Sequence, residues 1–189
     1  AEVTLRTSNP VVFDLFGSIP ATGRFVLVDE YDVCGGGIII TYTASKTDRL
    51  RNEVRHRDFN WLQSDIKPEQ RAYRNGHQST LILIVGPSGI GKAKLARHLE
   101  QKLFELNYQS YLLDGRNVAL GVSADIESQQ KKEKGEILRR FGEVVKLFLD
   151  AGHVVISTSN VFNQEDHTDL RLLVEPRQVV EIFVTDDKE

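Results

Sequence analysis

The sequence predicts an α/β fold: a parallel sheet with flanking helices, preceded by a small β segment. Three observations carry that expectation. The apolar run Leu81-Ile-Leu-Ile-Val85 leads directly into the glycine-rich stretch Gly86-Pro-Ser-Gly-Ile-Gly-Lys92. From there to Val184, apolar runs alternate with stretches of helical periodicity. Before Thr43 the runs are short, alternating, and bounded by Gly, Pro and Asp.

Taken in order, residues 1–43 read as the terminal strands of a barrel or meander. Glu2–Arg6 alternates, Pro10–Phe13 is a short run, and Gly23–Asp29 alternates toward a turn. Gly35-Gly-Gly37 then precedes a fourth run, Ile38–Thr41. So few strands bury little by themselves, which predicts incompletely covered edges. Residues 44–78 mix charges densely, as a solvated linker with about one helical turn would. Trp61 and Leu62 are its expected anchors, and Pro68 suits the first position of a short helix through Tyr73.

Residues 79–189 carry the α/β pattern. Leu81–Val85 is apolar throughout, as a strand buried on both faces must be. Leu95, Leu99, Leu103 and Leu106 recur at helical spacing over Ala93–Asn107. Ser110–Leu113 is the second strand of this region, and Glu133–Asp150 is an amphipathic helix stopped by Gly152. His153–Ser157 and Val179–Val184 complete the expected strands. Alternation of this kind implies crossover units, whose ligands lie beyond the carboxyl ends of the strands. Those ends are Gly86–Lys92, Asp114-Gly115 and Ser157–Asn160.

Composition narrows the function classes. With 189 residues, 40% hydrophobic and 27% charged, the chain reads as globular. A net charge of -3 gives no electrostatic reason to expect nucleic acid or an anionic membrane as partner. No apolar run approaches the roughly 20 residues that span a bilayer. A single cysteine, Cys34, excludes an internal disulfide framework, fits a reducing cytoplasm, and reads as a small buried filler. The first residue is alanine and no targeting pattern follows, so Ala1 is expected to mark a cut in a longer gene.

The chemistry converges on the sheet's rim. Gly86, Gly89 and Gly91 allow tight turns that aim backbone N–H groups, with those of Ser88 and Ile90, at phosphate oxygens. Lys92 adds a point charge and the following helix its positive end. The pattern ordinarily continues with Ser or Thr to hold magnesium, and here that residue is Ala93. A second reading of the same glycines is a turn kept only for strand-to-helix packing. Asp114 either places a carboxylate near a metal or an acceptor hydroxyl, or caps the segment after it. The histidines at 56, 77, 98, 153 and 167 have no metal-ligand spacing, and Asp166-His167 reads as solvated loop. No metal ligand is assigned. Lys131–Lys134 reads as a solvated helix start.

The segment His77–Val184 resembles adenylylsulfate kinase, which phosphorylates the 3′-hydroxyl of adenylyl sulfate. The motifs that carry this are Gly86-x-Ser-Gly-x-Gly-Lys92 with Leu95-Ala96, and Leu112-Leu-Asp-Gly-x-Asn-Val118. They continue with Glu136-x-x-Arg139-Arg140-x-Gly-Glu-Val144, Lys146-Leu147, Asp150-Ala-Gly152 and Val154-Val-Ile156. The first forty residues resemble the last barrel segment of the large, GTPase-type subunit of sulfate adenylyltransferase. Phe13-Asp14, Ile19-Pro20, Thr22–Asp29 and Gly35–Ile38 carry that second likeness, and Arg74-x-Gly76-His77 resembles the lead-in found where the two are fused. The resemblance implies a P-loop kinase-like fold behind the end of a GTPase-type β-barrel. It implies ATP or ADP in the loop Gly86–Ala93, Asp114 as the catalytic carboxylate, and Asn117, Arg139 and Arg140 on the substrate. As partners it implies nucleotide, the remainder of the large subunit, and the small subunit.

Departures from the family pattern cluster at the site. Ala93 stands for the Ser that holds magnesium, which weakens magnesium binding, and Lys94 stands for the Thr beside it. Asp-Gly-Asp-x-x-Arg has become Asp114-Gly-Arg116-Asn-Val-Ala119, and Arg-x-Glu-Asn has become Lys134-Gly-Glu136-Ile137. Ser159–Asn163 lacks the arginine of Ile-Ser-Pro-Tyr-Arg, and the lid and terminal elements expected beyond the last strand do not precede Glu189. Three readings stay open: a degenerate kinase-like module, an active adenylylsulfate kinase with rearranged residues, and a nucleotide-sensing interaction module.

Overall fold

A computed structural model describes residues 1–7, 11–43, 46–126, 131–159 and 164–185. The backbone divides into two compact units, Ala1–Ser45 and Lys46–Glu189.

In the first unit, β1 (Arg24–Asp29) pairs antiparallel with β2 (Asp32–Ile38), with a bulge between Leu27 and Val28. The glycine run lies inside β2, where it was expected to precede a strand. The reason is local crowding: a Cβ on Gly37 would sit 2.8 Å from the Phe25 ring, and one on Gly36 would sit 2.9 Å from the Phe25 carbonyl oxygen. Glu2–Arg6, Val11–Phe13 and Ile39–Thr41 form no strand; of these, Ile39 makes backbone hydrogen bonds with Phe16 (2.8 Å) and Gly23 (2.9 Å) without extending the pairing of β1 with β2. Pro10 lies outside the described residues. Val26, Val28 and Val33 remain exposed, as expected of an incompletely covered β segment. Cys34 is also exposed, correcting its reading as a buried filler.

The second unit opens with α1 (Lys46–Phe59), a helix of 14 residues where a solvated linker was expected. Its apolar signal is small, consisting of Leu50 and Val54 one turn apart, and both are buried against Leu173. Arg57 reinforces that contact by donating to both carboxylate oxygens of Glu143 (3.1 and 3.0 Å) and to the Leu173 carbonyl (2.9 Å). Leu62 is 94% exposed and anchors nothing; Trp61 lies under the Arg57 guanidinium, 5.9 Å from ring centre to Cζ. The next helix, α2 (Pro68–Asn75), has Pro68 in its first turn as expected and ends at Gly76 in the left-handed region.

The sheet is four-stranded, with order β4-β5-β3-β6 and every pair parallel. Its members are β3 (Thr80–Val85), β4 (Ser110–Leu112), β5 (Val154–Ser159) and β6 (Gln178–Phe183). β3 over Leu81–Val85, and β5 over Val154–Ile156, are apolar on both sides because both faces are covered. Leu81, Leu83 and Val155 pack against Leu138, Phe141, Val145 and Leu149 of α5 (Lys131–Asp150), and against Leu170 and Val174 of α6 (Gln164–Val174). Ile84 and Ile156 pack on the opposite face against Ala96, Leu99 and Leu103 of α3 (Lys92–Glu105). Gly152, at φ 94°, follows α5 as the sequence predicts.

Besides α1, the sequence reading did not anticipate the short α4 (Gly115–Leu120) or α6. Asp166 and His167 therefore stand on a helix and not in a solvated loop. The His167 side chain is 11% exposed, within 3.9 Å of Glu181 on β6. Among the described residues, no helix is long and apolar enough to cross a membrane.

Candidate functional site

The loop between β3 and α3 is shaped by backbone conformations that favour glycine. Gly86, Gly89 and Gly91 have φ of 154°, 83° and 93°. Gly86 has no room for a side chain, because a Cβ there would lie 2.4 Å from the Val184 carbonyl oxygen. Gly89 and Gly91 face open space instead, with nothing within 4 Å of a Cβ position. Ser88 is exposed and Ile90 half-buried between them. Lys92, only 4% exposed, folds back so that Nζ donates to the carbonyls of Gly86 (2.5 Å) and Pro87 (2.6 Å). Ala93 follows in the first turn of α3, half-buried and without an oxygen.

At the end of β4, Asp114 caps α4. Its Oδ1 accepts from the Arg116 backbone N (2.9 Å) and Nε (3.1 Å), and its Oδ2 from Nη2 (2.7 Å). The guanidinium holds the Asp114 carboxyl below its ordinary range, chiefly through the side-chain hydrogen bonds. The capping role left open in the sequence is present. Asn117 stands exposed on α4.

The two arginines of α5 are committed to carboxylates. Arg139 makes a two-pronged contact with Glu136 through Nε and Nη2, both at 2.7 Å. Arg140 donates to Glu136 (2.9 Å), to both oxygens of Asp125 (2.5 and 3.0 Å), and to the Val122 carbonyl (2.9 Å). Arg140 thereby ties the segment after α4 to α5. Arg139 faces the other way, into a groove of about 750 Å³ whose walls include Leu50, Glu53, Arg57, Trp61 and Glu143. Ser157 lies buried in β5, whereas Asn160–Asn163 fall outside the described residues. Helical spacing signals the Glu136 pairs, but nothing local signals the Asp125 pair, which closes 15 residues.

Glu136 and Asp125 are both held below their ordinary ranges, Glu136 first by hydrogen bonding to Arg139 and Asp125 first by hydrogen bonding to Arg140. A lowered folded pKa contributes stability that is complete above the ordinary carboxylate value. That contribution is lost as pH falls through the folded value. Arg139→Gln is therefore expected to cost up to about 1 kcal/mol near neutral pH, the range for partly exposed pairs. The cost should shrink as pH drops below the ordinary glutamate value of 4.5. Urea titrations of both proteins at several pH values check this; a cost that grows on acidification contradicts it.

The family model "Adenylylsulphate kinase" matches residues 78–189, and the model "GTP-eEF1A C-terminal domain-like" matches residues 1–40. Adenylyl-sulfate kinase of Geotalea daltonii is 40% identical over 114 residues, covering 60% of this chain and 56% of that protein. Adenylyl-sulfate kinase of Staphylococcus epidermidis is 35% identical over 123 residues, covering 65% of this chain and 61% of that protein. The chain thus spans less than two thirds of the length of either relative. Among solved structures, Mycobacterium tuberculosis APS kinase CysC in complex with AMPPNP and APS aligns with a TM-score of 0.52 and 30% identity. That alignment covers 56% of this chain and 62% of the other. With a family model matching more than half of its length, the chain belongs to the adenylylsulfate kinase family.

Proposed function

We propose that residues 79–189 form an adenylylsulfate kinase-like unit that keeps the phosphate loop, binds ATP or ADP there, and has lost phosphoryl transfer. The ion pair of Asp114 with Arg116 carries this reading. A base that accepts the proton of an attacking hydroxyl needs a free carboxylate of suitable pKa. Asp114 instead has both oxygens on a neighbouring cation and a lowered pKa. Ala93 leaves the loop without the hydroxyl that normally helps fix magnesium, the ion that bridges and neutralises the transferring phosphates. The commitment of Arg139 and Arg140 to Glu136 and Asp125 supports the same conclusion.

Loss of a positioned acid or base alone costs on the order of 10²–10⁴ in rate. In a coupled assay for phosphorylated adenylyl sulfate, turnover is therefore expected at least about 10³-fold below that of the Geotalea daltonii relative. Magnesium-dependent turnover within about tenfold of that protein would overturn the reading. An active kinase is the second reading, favoured by 35–40% identity to proteins of that name and by the unbroken Gly86–Lys92 loop. The same assay separates the two. A module that senses nucleotide without chemistry is the third, and it shares the binding step proposed above; thermal stabilisation by ADP supports that step, and its absence contradicts it.

The match of residues 1–40 to the "GTP-eEF1A C-terminal domain-like" model is compatible with reading residues 1–43 as terminal strands of a sulfate adenylyltransferase large subunit. On that reading 44–78 join them to the kinase-like unit, and the rest of the large subunit and its small subunit are the partners. Copurification of the small subunit with the full-length gene product tests this.

A further inference from the structure

We propose that this phosphate loop takes a nucleoside polyphosphate as the free anion, without magnesium. The inference rests on the phosphate-binding reading above and deepens it.

Magnesium is a hard cation that requires oxygen donors in near-octahedral geometry. The first donor a phosphate loop offers it is the hydroxyl after the lysine, and Ala93 carries a methyl group there. A second donor would come from the end of a neighbouring strand, where Asp114 lies. Its oxygens accept three hydrogen bonds from Arg116, and its charge is offset by the guanidinium. A cation placed there would meet Arg116 before a free carboxylate. Among the described residues, no group of three His, Cys, Asp or Glu side chains is arranged to hold a metal. The donor set does not fit the ion.

The cationic side of the site is intact. Lys92 is nearly fully buried, and its ammonium contacts only main-chain carbonyls, with no carboxylate partner among the described residues. Buried charges are ordinarily paired, so a cation held this way leaves a place for an incoming anion. Gly89 and Gly91 present open backbone beside it, and Lys94 is exposed in the first turn of α3. β4 and β3 are parallel and separated by β5, so their carboxyl ends open toward the same end of the sheet, two strand spacings or about 10 Å apart, with Arg116 following β4 on α4. A polyphosphate complexed to magnesium carries less negative charge into this field and brings a cation that finds no ligand.

Calorimetric titration of the full chain with ATP, in EDTA and in excess magnesium, tests the proposal. Affinity in EDTA is expected within about threefold of that in magnesium, or tighter, where tenfold corresponds to 1.4 kcal/mol. Affinity weaker by more than that on metal removal overturns metal-free binding while leaving the phosphate site standing. Absence of binding in both buffers overturns the phosphate-binding reading itself. The double variant Ala93→Ser/Arg116→Asp restores the hydroxyl and removes the cation from Asp114. It is expected to bind ATP about tenfold more tightly with magnesium than without. If it is as indifferent to magnesium as the parent, residues 93 and 116 do not set the preference and the assignment to them fails.

Discussion

Phe141→Ala is expected to lower the unfolding free energy of the α/β unit by about 3–5 kcal/mol, the range for truncating a buried aromatic ring. Phe141 is 1% exposed and sits in the layer where α5 meets the sheet, among Leu81, Leu83, Val155 and Leu170. Elements on three sides hold that layer, so it cannot collapse into the space the ring leaves. A domain of ordinary stability has roughly 5–15 kcal/mol in total, so the variant would stand close to its unfolding threshold. Trp61, the sole tryptophan, stands beside Arg57 in this unit and reports its unfolding. Urea titration followed by Trp61 fluorescence measures the loss, and a value under about 1 kcal/mol would be irreconcilable with a core position.

Gly86→Ala is expected to be almost as damaging, and to disable the phosphate loop as well. The added methyl would lie 2.4 Å from the carbonyl oxygen of Val184, an atom of the backbone that no rotamer change can move. Val184 donates from its own N–H to the Val85 carbonyl at 2.8 Å, so relief requires prising the end of β6 away from β3. Backbone strain of about 1–3 kcal/mol adds to an overpacking cost of similar size. Gly89→Ala provides the contrast, because its Cβ meets nothing within 4 Å and only the φ of 83° is penalised, by about 1–2 kcal/mol. Comparing the two by urea titration separates conformational from steric demand. Equal losses would mean that Val184 yields.

The strands and the loop were legible because their signals are local. Leu81–Val85 is apolar without a break, and the glycine spacing fixes the turn that follows it. The helix α1 was illegible for the opposite reason. Its buried face is two residues wide, Leu50 and Val54, and the partner that makes them a core, Leu173, lies more than a hundred positions away. The same holds for α6, where charged residues surround Leu170, Leu173 and Val174. At the candidate site, Arg116 was visible as a departure from the family pattern. That it closes on Asp114 follows from cap geometry and a rotamer, which no pattern of residue types encodes. The pairing of Arg140 with Asp125 depends on how the chain after α4 returns to α5, a property of the assembled fold.

The clasp made by Arg57 bears on where the folding unit starts. Family likeness begins at residue 78, yet Leu50, Val54 and Arg57 complete a surface that α5 and α6 would otherwise present to water. Severing the chain at Gln78 would strip the cover from Leu173 and leave Glu143 without its guanidinium. The compact unit starts at Lys46 and the family likeness at residue 78, so the packing boundary and the boundary of likeness differ by two helices.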